Sequence, residues 1–335
     1  MATIKDVALA AGVSVSTVSI VLNGRAEERK IPPRTRDRVL EAAGQLRYQP
    51  NLAARRLRSA GQSESLIGIF WAADTRTIVL TRFLQGLQLA VAQNPYNVSF
   101  VIRPFASGRL AQERSLRSLS SFNAAIVATL GQDDINHLER TPPPIPLILF
   151  NRQSENFSSV TLDNRRAGEM AAEQLLAKGA STIGMACHER SFLAMGLRRE
   201  GFLAACRDRG VGGLEENVVY VEDTIAGGYA AGMEFLRRGH IPEGIYCDDD
   251  SIAYGLLNAF AQNGVRVPQD VRIAAIGMGP PDIARYSNPP LTVVNLPLEK
   301  MAEGCVLMLP QLLQGNRSPQ RLRFECTLHA RQSSL

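Results

Sequence analysis

What the chain lacks narrows its chemistry first. Its 335 residues hold no G-x-G-x-x-G after a strand pattern, and Gly277-Met278-Gly279 and Gly227-Gly228 are too sparse to form one. There is no phosphate-cradling P-loop and no G-x-S-x-G nucleophile elbow. The four histidines (His137, His188, His240, His329) do not cluster in sequence. Enzymatic chemistry therefore has no motif to carry it, and no cofactor is expected. The five cysteines (Cys187, Cys206, Cys247, Cys305, Cys326) are odd in number and form no Cys-x-x-Cys. That argues against a structural zinc site or any other metal, and for the reduced thiols of a cytoplasmic protein. No uncharged apolar run reaches 18 residues, so no membrane span is expected. The first residues, with Lys5 and Asp6 inside a helical pattern, do not read as a secretory leader.

What is present is unevenly spread. Residues 1–60 carry 11 Lys/Arg against 5 Asp/Glu, a net +6, while the other 275 carry 26 against 27, a net −1. All the net positive charge of the chain thus lies in its first sixth. A solvated surface does not normally segregate charge so sharply, whereas a phosphate-binding module does.

The same stretch has a helical rhythm. Thr3 can cap a helix, with Asp6 three residues on to close a capping box, and Ile4, Val7, Ala8 and Ala11 follow at helical spacing. Gly12-Val13 breaks the rhythm, and Ser14 can cap a second helix to about Leu22. That helix is rich in β-branched residues, so packing must hold it. Val18, Val21 and Leu22 are expected inside; Val15, Ser16, Ser19 and Ile20 are expected outside. Helix, short glycine turn, helix is the arrangement whose second helix lies in a DNA major groove. Pro32-Pro33 opens a third helix with Val39, Leu40, Ala43 and Leu46 as its apolar stripe. Residues 51–59 hold three arginines and few apolar residues, a helix too short to persist alone in water.

Thr3-Ile-Lys-Asp-Val-Ala, Gly-Val-Ser-Val-Ser-Thr-Val-Ser and Val-Leu-Asn-Gly follow one another in a specific order. With Arg36-Asp-Arg-Val-Leu-Glu-Ala-Ala and Tyr48-Gln-Pro-Asn-Leu-Ala-Ala-Arg-Arg-Leu57, they resemble the headpiece of the LacI/GalR family of bacterial transcriptional regulators. The resemblance implies a headpiece at 1–49, a hinge helix at 50–60 and an effector-binding, dimerising core at 61–335. It implies base contacts from Val15, Ser16 and Ile20, and backbone contacts from Thr17, Asn23, Arg34 and Thr35. In the hinge, Ala54, Arg55, Leu57 and Arg58 would enter the minor groove. Leu57 matches the family leucine that wedges into the central base step; an ordinary linker leucine is the alternative. Many members carry Arg or His where this chain has Ile20. Isoleucine makes no bidentate contact to guanine but can pack on a thymine methyl. It could instead pack in a dimer or hinge contact.

After a small polar linker at 60–65, strand and helix signals alternate. Strands are expected at 66–71, 98–102, 124–128 and 146–150, with helices at 83–93 and 111–121. A second round has strands at 159–162, 182–185, 218–221, 244–247 and 271–276, with helices at 163–176, 198–209, 227–238 and 250–263. This predicts an α/β fold of two doubly wound parallel lobes, as in periplasmic binding proteins, behind a small all-α headpiece. Strand 290–294 and helix 298–313 are expected to cross back to the first lobe. Lobe one is then about 61–160 plus 293–318, and lobe two about 161–292 plus 319–335.

Ligands of this fold bind between the lobes. Arg198, three before Gly201, matches the family arginine that grips the effector; Arg152 and Asp163 end strands at the cleft edge. Asp249 replaces the asparagine of the family pattern Asn-Asp-x-x-Ala-x-Gly and is the ligand candidate there, with Asp250 expected to cap the helix. Where the family often has Gly-Phe/Tyr-Asp, this chain has Gly277-Met-Gly279, so the aspartate that accepts sugar hydroxyls is missing. A sugar or sugar derivative held in another way, a phosphorylated or acidic molecule held by Arg198 and Arg152, a corepressor protein, or no effector all stay open. The expected partners are a double-stranded DNA operator, a small-molecule effector and a second copy of the chain. No leucine heptad runs to Leu335, so a dimer is expected rather than a tail-built tetramer.

Overall fold

In the computed structural model, residues 4–22, 26, 29–46, 64–73, 77–94, 96–118, 121–177, 179–189, 192–211 and 215–335 are described. The first three helices are α1 (Ile4–Ala11), α2 (Val15–Leu22) and α3 (Pro33–Gln45). Between α1 and α2 the chain turns through 102°. Gly12 makes that turn at φ +62, a left-handed conformation that side chains with a Cβ resist. The Ser14 hydroxyl accepts the Thr17 N–H at 3.1 Å, which starts α2. Val7, Val18 and Val39, one from each helix, meet in a core with no exposure, joined by Val21 and the alanines 8, 11, 42 and 43. The third helix buries Val39, Ala42 and Ala43, while Leu40 and Leu46 of the expected stripe are exposed. Short alanines let three short helices approach closely, so the stripe sits one residue over from the larger leucines.

The first lobe follows with β1 (Ser65–Ala72), α4 (Thr77–Gln93), β2 (Val98–Phe105), β3 (Ala124–Ala128), α5 (Gln132–Arg140), β4 (Leu147–Phe150) and β5 (Ser158–Leu162). The second contains α6 (Asn164–Leu176), β6 (Ile183–His188), α7 (Leu193–Asp208), β7 (Val218–Val221), α8 (Ile225–Arg237), β8 (Gly244–Cys247), α9 (Asp250–Gln262), β9 (Arg272–Gly277), α10 (Pro281–Tyr286) and β10 (Thr292–Asn295). Then come α11 (Leu298–Leu313), β11 (Arg321–Phe324) and β12 (Thr327–His329). The sheets run β11-β5-β4-β3-β1-β2 and β12-β10-β9-β8-β6-β7. Apart from the antiparallel β12, all pairs are parallel. Both lobes thus repeat one strand order, 2-1-3-4-5, and present their loops at the carboxyl ends of the strands.

Two expected lobe edges are corrected. Strand Thr292–Asn295 pairs with β9 and stays in the second lobe; the helix after it crosses back alone. Strand Arg321–Phe324 pairs with β5 and belongs to the first. Hydropathy finds a strand, but only pairing decides its sheet. The helix expected over 111–121 is replaced by two short 3-10 turns, Leu110–Gln112 and Arg114–Arg117. There the buried Asp134 carboxylate accepts the N–H groups of Gly108 and Leu110 and holds the backbone in a loop. Among the described residues, no single helix is long and apolar enough to cross a membrane.

Candidate functional site

The headpiece presents α2 on its surface. Ser16 is exposed; Thr17 and Ile20 are half-buried. Ile20 is absent from the hydrophobic cluster of the headpiece among the described residues, while Val15 packs partly against it. The Thr17 hydroxyl lies 2.9 Å from that of Ser14. Helix α2 has no acidic side chain in its first turn and no basic one in its last. At the start of α3, Arg34 is exposed and Thr35 half-buried. Asn23 and the hinge residues Ala54, Arg55, Leu57 and Arg58 lie outside the described residues, as does Thr3.

The second site lies between the lobes, at the carboxyl ends of β3, β4 and β9 and the start of α7. Thr129, Phe150, Asn151 and Arg152 line it from lobe one; Phe192, Met195, Arg198 and Met278 line it from lobe two, and Leu296 and Leu298 from the crossover. These walls leave a cavity of about 90 Å³ that opens to solvent.

Two glycine contacts fix the arginine in this wall. A Cβ on Gly168 would stand 1.8 Å from the Arg198 carbonyl oxygen, and one on Gly201 would stand 2.0 Å from that of Arg165. Helices α6 and α7 therefore cross backbone to backbone, which places Arg198 at the cleft floor. Its side chain is 3% exposed, and its Nε donates to Asn164 Oδ1 at 3.0 Å. Asn164 Nδ2 donates in turn to Asn151 Oδ1 at 3.0 Å, so the chain of bonds passes from lobe two to lobe one.

Asn151 has φ +54 and Thr129 φ +59. For a β-branched residue such as threonine this is a costly conformation, and such residues gather at binding sites. The Thr129 hydroxyl offsets some of that cost by accepting the Ala72 N–H at 2.8 Å. Arg152 is buried. Its Nε and Nη2 donate to the Leu130 carbonyl at 2.8 and 2.6 Å, and its Nη1 to that of Asn151 at 2.7 Å. Burial, and then the charge of Arg198, push its guanidinium down to about 10.

Of the four expected effector residues, Arg152 and Arg198 share this cavity. Asp163 opens instead on an adjacent groove with Arg165, Arg321 and Arg323. It caps α6 by accepting the Arg166 N–H at 2.9 Å and pairs with Arg323. Asp249, expected to face the ligand, lines neither space. It is 1% exposed and caps α9, accepting the Ile252 N–H at 2.9 Å. Its extended backbone (φ −156, ψ 173) is what an N-cap requires, so the capping role expected of Asp250 falls one residue earlier.

Asp250 has a different task. Its carboxylate accepts the Gly279 N–H at 2.9 Å. A Cβ on Gly279 would lie 2.9 Å from the same oxygen, so a side chain there would have to displace the Asp250 carboxylate. Burial, and then the neighbouring Asp249 charge, push the Asp250 carboxyl up to about 6. Thr129, Asn151, Asn164, Phe192 and Met278 went unmarked in the sequence. Only the left-handed backbone at 129 and 151 and the strand-end positions single them out, and both are properties of the fold.

Residues 3–51 match the model of bacterial regulatory proteins of the lacI family, and residues 172–334 that of a periplasmic binding protein-like domain. The HTH-type transcriptional regulator GalS of Salmonella typhimurium is 31% identical over 309 residues, covering 90% of this chain and 87% of GalS. The HTH-type transcriptional repressor PurR of Erwinia tasmaniensis is 30% identical over 348 residues, covering 99% of this chain and 97% of PurR. The crystal structure of a LacI family transcription regulator from Clostridium acetobutylicum superposes with a TM-score of 0.77 at 31% identity. It covers 80% of this chain and all of its own.

Proposed function

The chain belongs to the lacI family of bacterial regulatory proteins, and from that premise we propose that it is a cytoplasmic repressor, not an enzyme. Two copies bind a pseudo-palindromic operator, and a small molecule in the interlobe cleft sets their affinity for it. The observation that carries this reading is the pairing, in one chain, of a basic headpiece whose helices turn by 102° with a two-lobed core that has a cleft between its lobes. Helix α2 enters the major groove with Ser16 and Ile20 toward the base edges and Val15 at the margin. Arg34 and Thr35 bind phosphates, which position without specifying. Asn23 and the hinge residues Ala54, Arg55, Leu57 and Arg58 complete the contact surface.

The second copy docks on the first lobe. Leu89 on α4 and Val101 and Ile102 on the edge strand β2 are apolar and exposed there. Ligand binding that changes the angle between lobes then changes hinge spacing, and linkage requires DNA to change ligand affinity by the same factor. Selection from random duplexes with the full chain tests the proposal. Two inverted half-sites are expected, centred on a flexible pyrimidine–purine step that Leu57 can enter. An unchanged selection with Leu57→Gly would remove the hinge from the account. Recovery of no common sequence would refute the operator reading.

A further inference from the structure

We propose that Arg82 is the latch between the lobes, a positioning residue that holds the wall of the effector cavity from lobe one and passes its displacement to the face where the second copy docks. This rests on the reading of the interlobe cleft as the effector site.

The acceptors of Arg82 are the first ground. Its Nη1 donates to the carbonyls of Gly277 and Met278, and its Nη2 to that of Leu296. Met278 and Leu296 also line the cavity, and so does Val79, one turn before Arg82 on α4. A ligand that moves Met278 or Leu296 therefore moves an acceptor of the guanidinium.

Bond length is the second ground. The bonds to Glu299 in α11 are charge-assisted and short, at 2.6 and 2.7 Å, while those to lobe two are both 3.3 Å. The guanidinium is thus anchored in lobe one and holds lobe two more loosely. On the far side of the loop, the Asp250 carboxylate accepts the Gly279 N–H at 2.9 Å, which ties residues 277–279 to lobe two. When the lobes turn, the loop travels with lobe two, and the bonds that part are those to Gly277 and Met278.

The third ground is the stiffness of lobe one behind the latch. A Cβ on Gly86 would stand 2.3 Å from the Glu299 carbonyl oxygen, so α4 and α11 move as one body. Leu89, two turns beyond Arg82 on α4, is exposed on the face proposed for the second copy. One helix thus carries cavity wall, latch and docking face.

The chain's single tryptophan reads the latch in the full-length, ligand-free protein. Trp71 is buried and its ring centroid lies 6.3 Å from that of Phe150 in the cavity wall, so it stands one side chain behind the cleft. The probe is acrylamide, a small neutral quencher of tryptophan fluorescence. Arg82→Lys keeps a charge for Glu299, but one compact ammonium cannot reach the carboxylate and the lobe-two carbonyls together. Its quenching constant should rise about tenfold, the factor set by losing one hydrogen bond from a charged donor, with the emission maximum unchanged. Glu299→Gln leaves the bonds to Gly277 and Met278 and should quench like the wild type, although it too lowers stability. Equal quenching in Arg82→Lys and the wild type would overturn the proposal. So would an equal rise in Glu299→Gln, which marks general loosening, or a shifted emission maximum, which marks unpacking of Trp71 itself. Arg82→Lys should also change operator affinity about tenfold, and an unchanged affinity would overturn the passage of the displacement to DNA. Absence of operator binding by the wild type would instead refute the regulator reading, with the quenching result still deciding the latch.

Discussion

Arg82 makes five hydrogen bonds that join the two lobes, and replacing it should be costly. It stands on α4 and is 2% exposed. Its Nε and Nη2 donate to the two Glu299 oxygens at 2.6 and 2.7 Å, and Nη2 also to the Leu296 carbonyl at 2.9 Å. Nη1 reaches the carbonyls of Gly277 and Met278, both at 3.3 Å, at the end of β9 in the other lobe. One guanidinium thus ties α4 and α11 of lobe one to the crossover and to lobe two. A Cβ on Gly86, one turn along α4, would stand 2.3 Å from the Glu299 carbonyl oxygen, so the two helices have no slack beside the pair.

Arg82→Met keeps the stem and removes every donor. It leaves a carboxylate with 31% of its side chain exposed and three carbonyls without their charged donor. Breaking a buried pair from one side costs about 3–5 kcal/mol. Glu299→Gln leaves Arg82 its carbonyl partners and should cost only about 1–2 kcal/mol. The double replacement should fall short of the sum by about 1–3 kcal/mol, since both remove the same bond.

Burial pushes the Glu299 carboxyl up, and the bonds from Arg82 outweigh it, so its pKa is lowered on folding. The stability from this group is complete above its unfolded pKa and lost as pH falls through the folded value. Equilibrium urea unfolding of the full chain at pH 7 measures these costs. Arg82→Met costing less than about 1 kcal/mol, or an additive cycle, would refute the reasoning.

Four further outcomes are expected. Gly168→Ala should destabilise the core by about 1–3 kcal/mol or more, because its Cβ meets the Arg198 carbonyl at 1.8 Å. Gly44→Ala, in an exposed helical position with nothing within 4 Å, should stabilise the headpiece by about 0.5–1 kcal/mol; calorimetry on each variant reads both signs. Because the Asp250 carboxyl is raised to about 6, the folded state binds the extra proton between pH 4 and 6, and stability falls as pH rises through that window. Asp250→Asn should remove roughly 2–3 kcal/mol of that fall, seen as a flatter plot of unfolding free energy against pH; an unchanged plot would contradict the assignment. Ile20→Arg should shift operator preference toward guanine at one position in each half-site by about 1–3 kcal/mol, read by competition with single-base operator variants.

The sequence made some of this legible and hid the rest for physical reasons. Strands buried on both faces, such as Ala124–Ala128, are uninterrupted apolar runs and stand out at once. So do helices with a marked cap and stripe, such as Asn164–Leu176 behind Asp163. Helix Gln132–Arg140 escaped because it buries little beyond Asp134 and Leu138 and is otherwise polar. The allocation of Thr292–Asn295 to lobe two depends on its pairing with β9, which no local pattern records.

In the cleft, Arg198 was legible through its spacing from Gly201, and the absent aspartate through Gly279. Asp249 takes the cap expected of Asp250, because two adjacent aspartates offer the same chemistry and only the backbone angles decide which one caps. Arg82 was not legible at all. An arginine in an amphipathic helix reads as surface, and its partner Glu299 is 217 residues away.

The central claim is that the basic headpiece, directed from the two-lobed core, binds DNA by sequence. Binding of the DNA upstream of the chain's own gene, across a salt series, tests it most directly. The full-length protein and a truncated chain starting at Ser65 should be compared. The account predicts specific binding by the full chain alone, weakening with salt at a log–log slope of about −0.9 for each phosphate neutralised. Equal binding by the truncated chain, or binding by the full chain that is indifferent to salt and sequence, would contradict it.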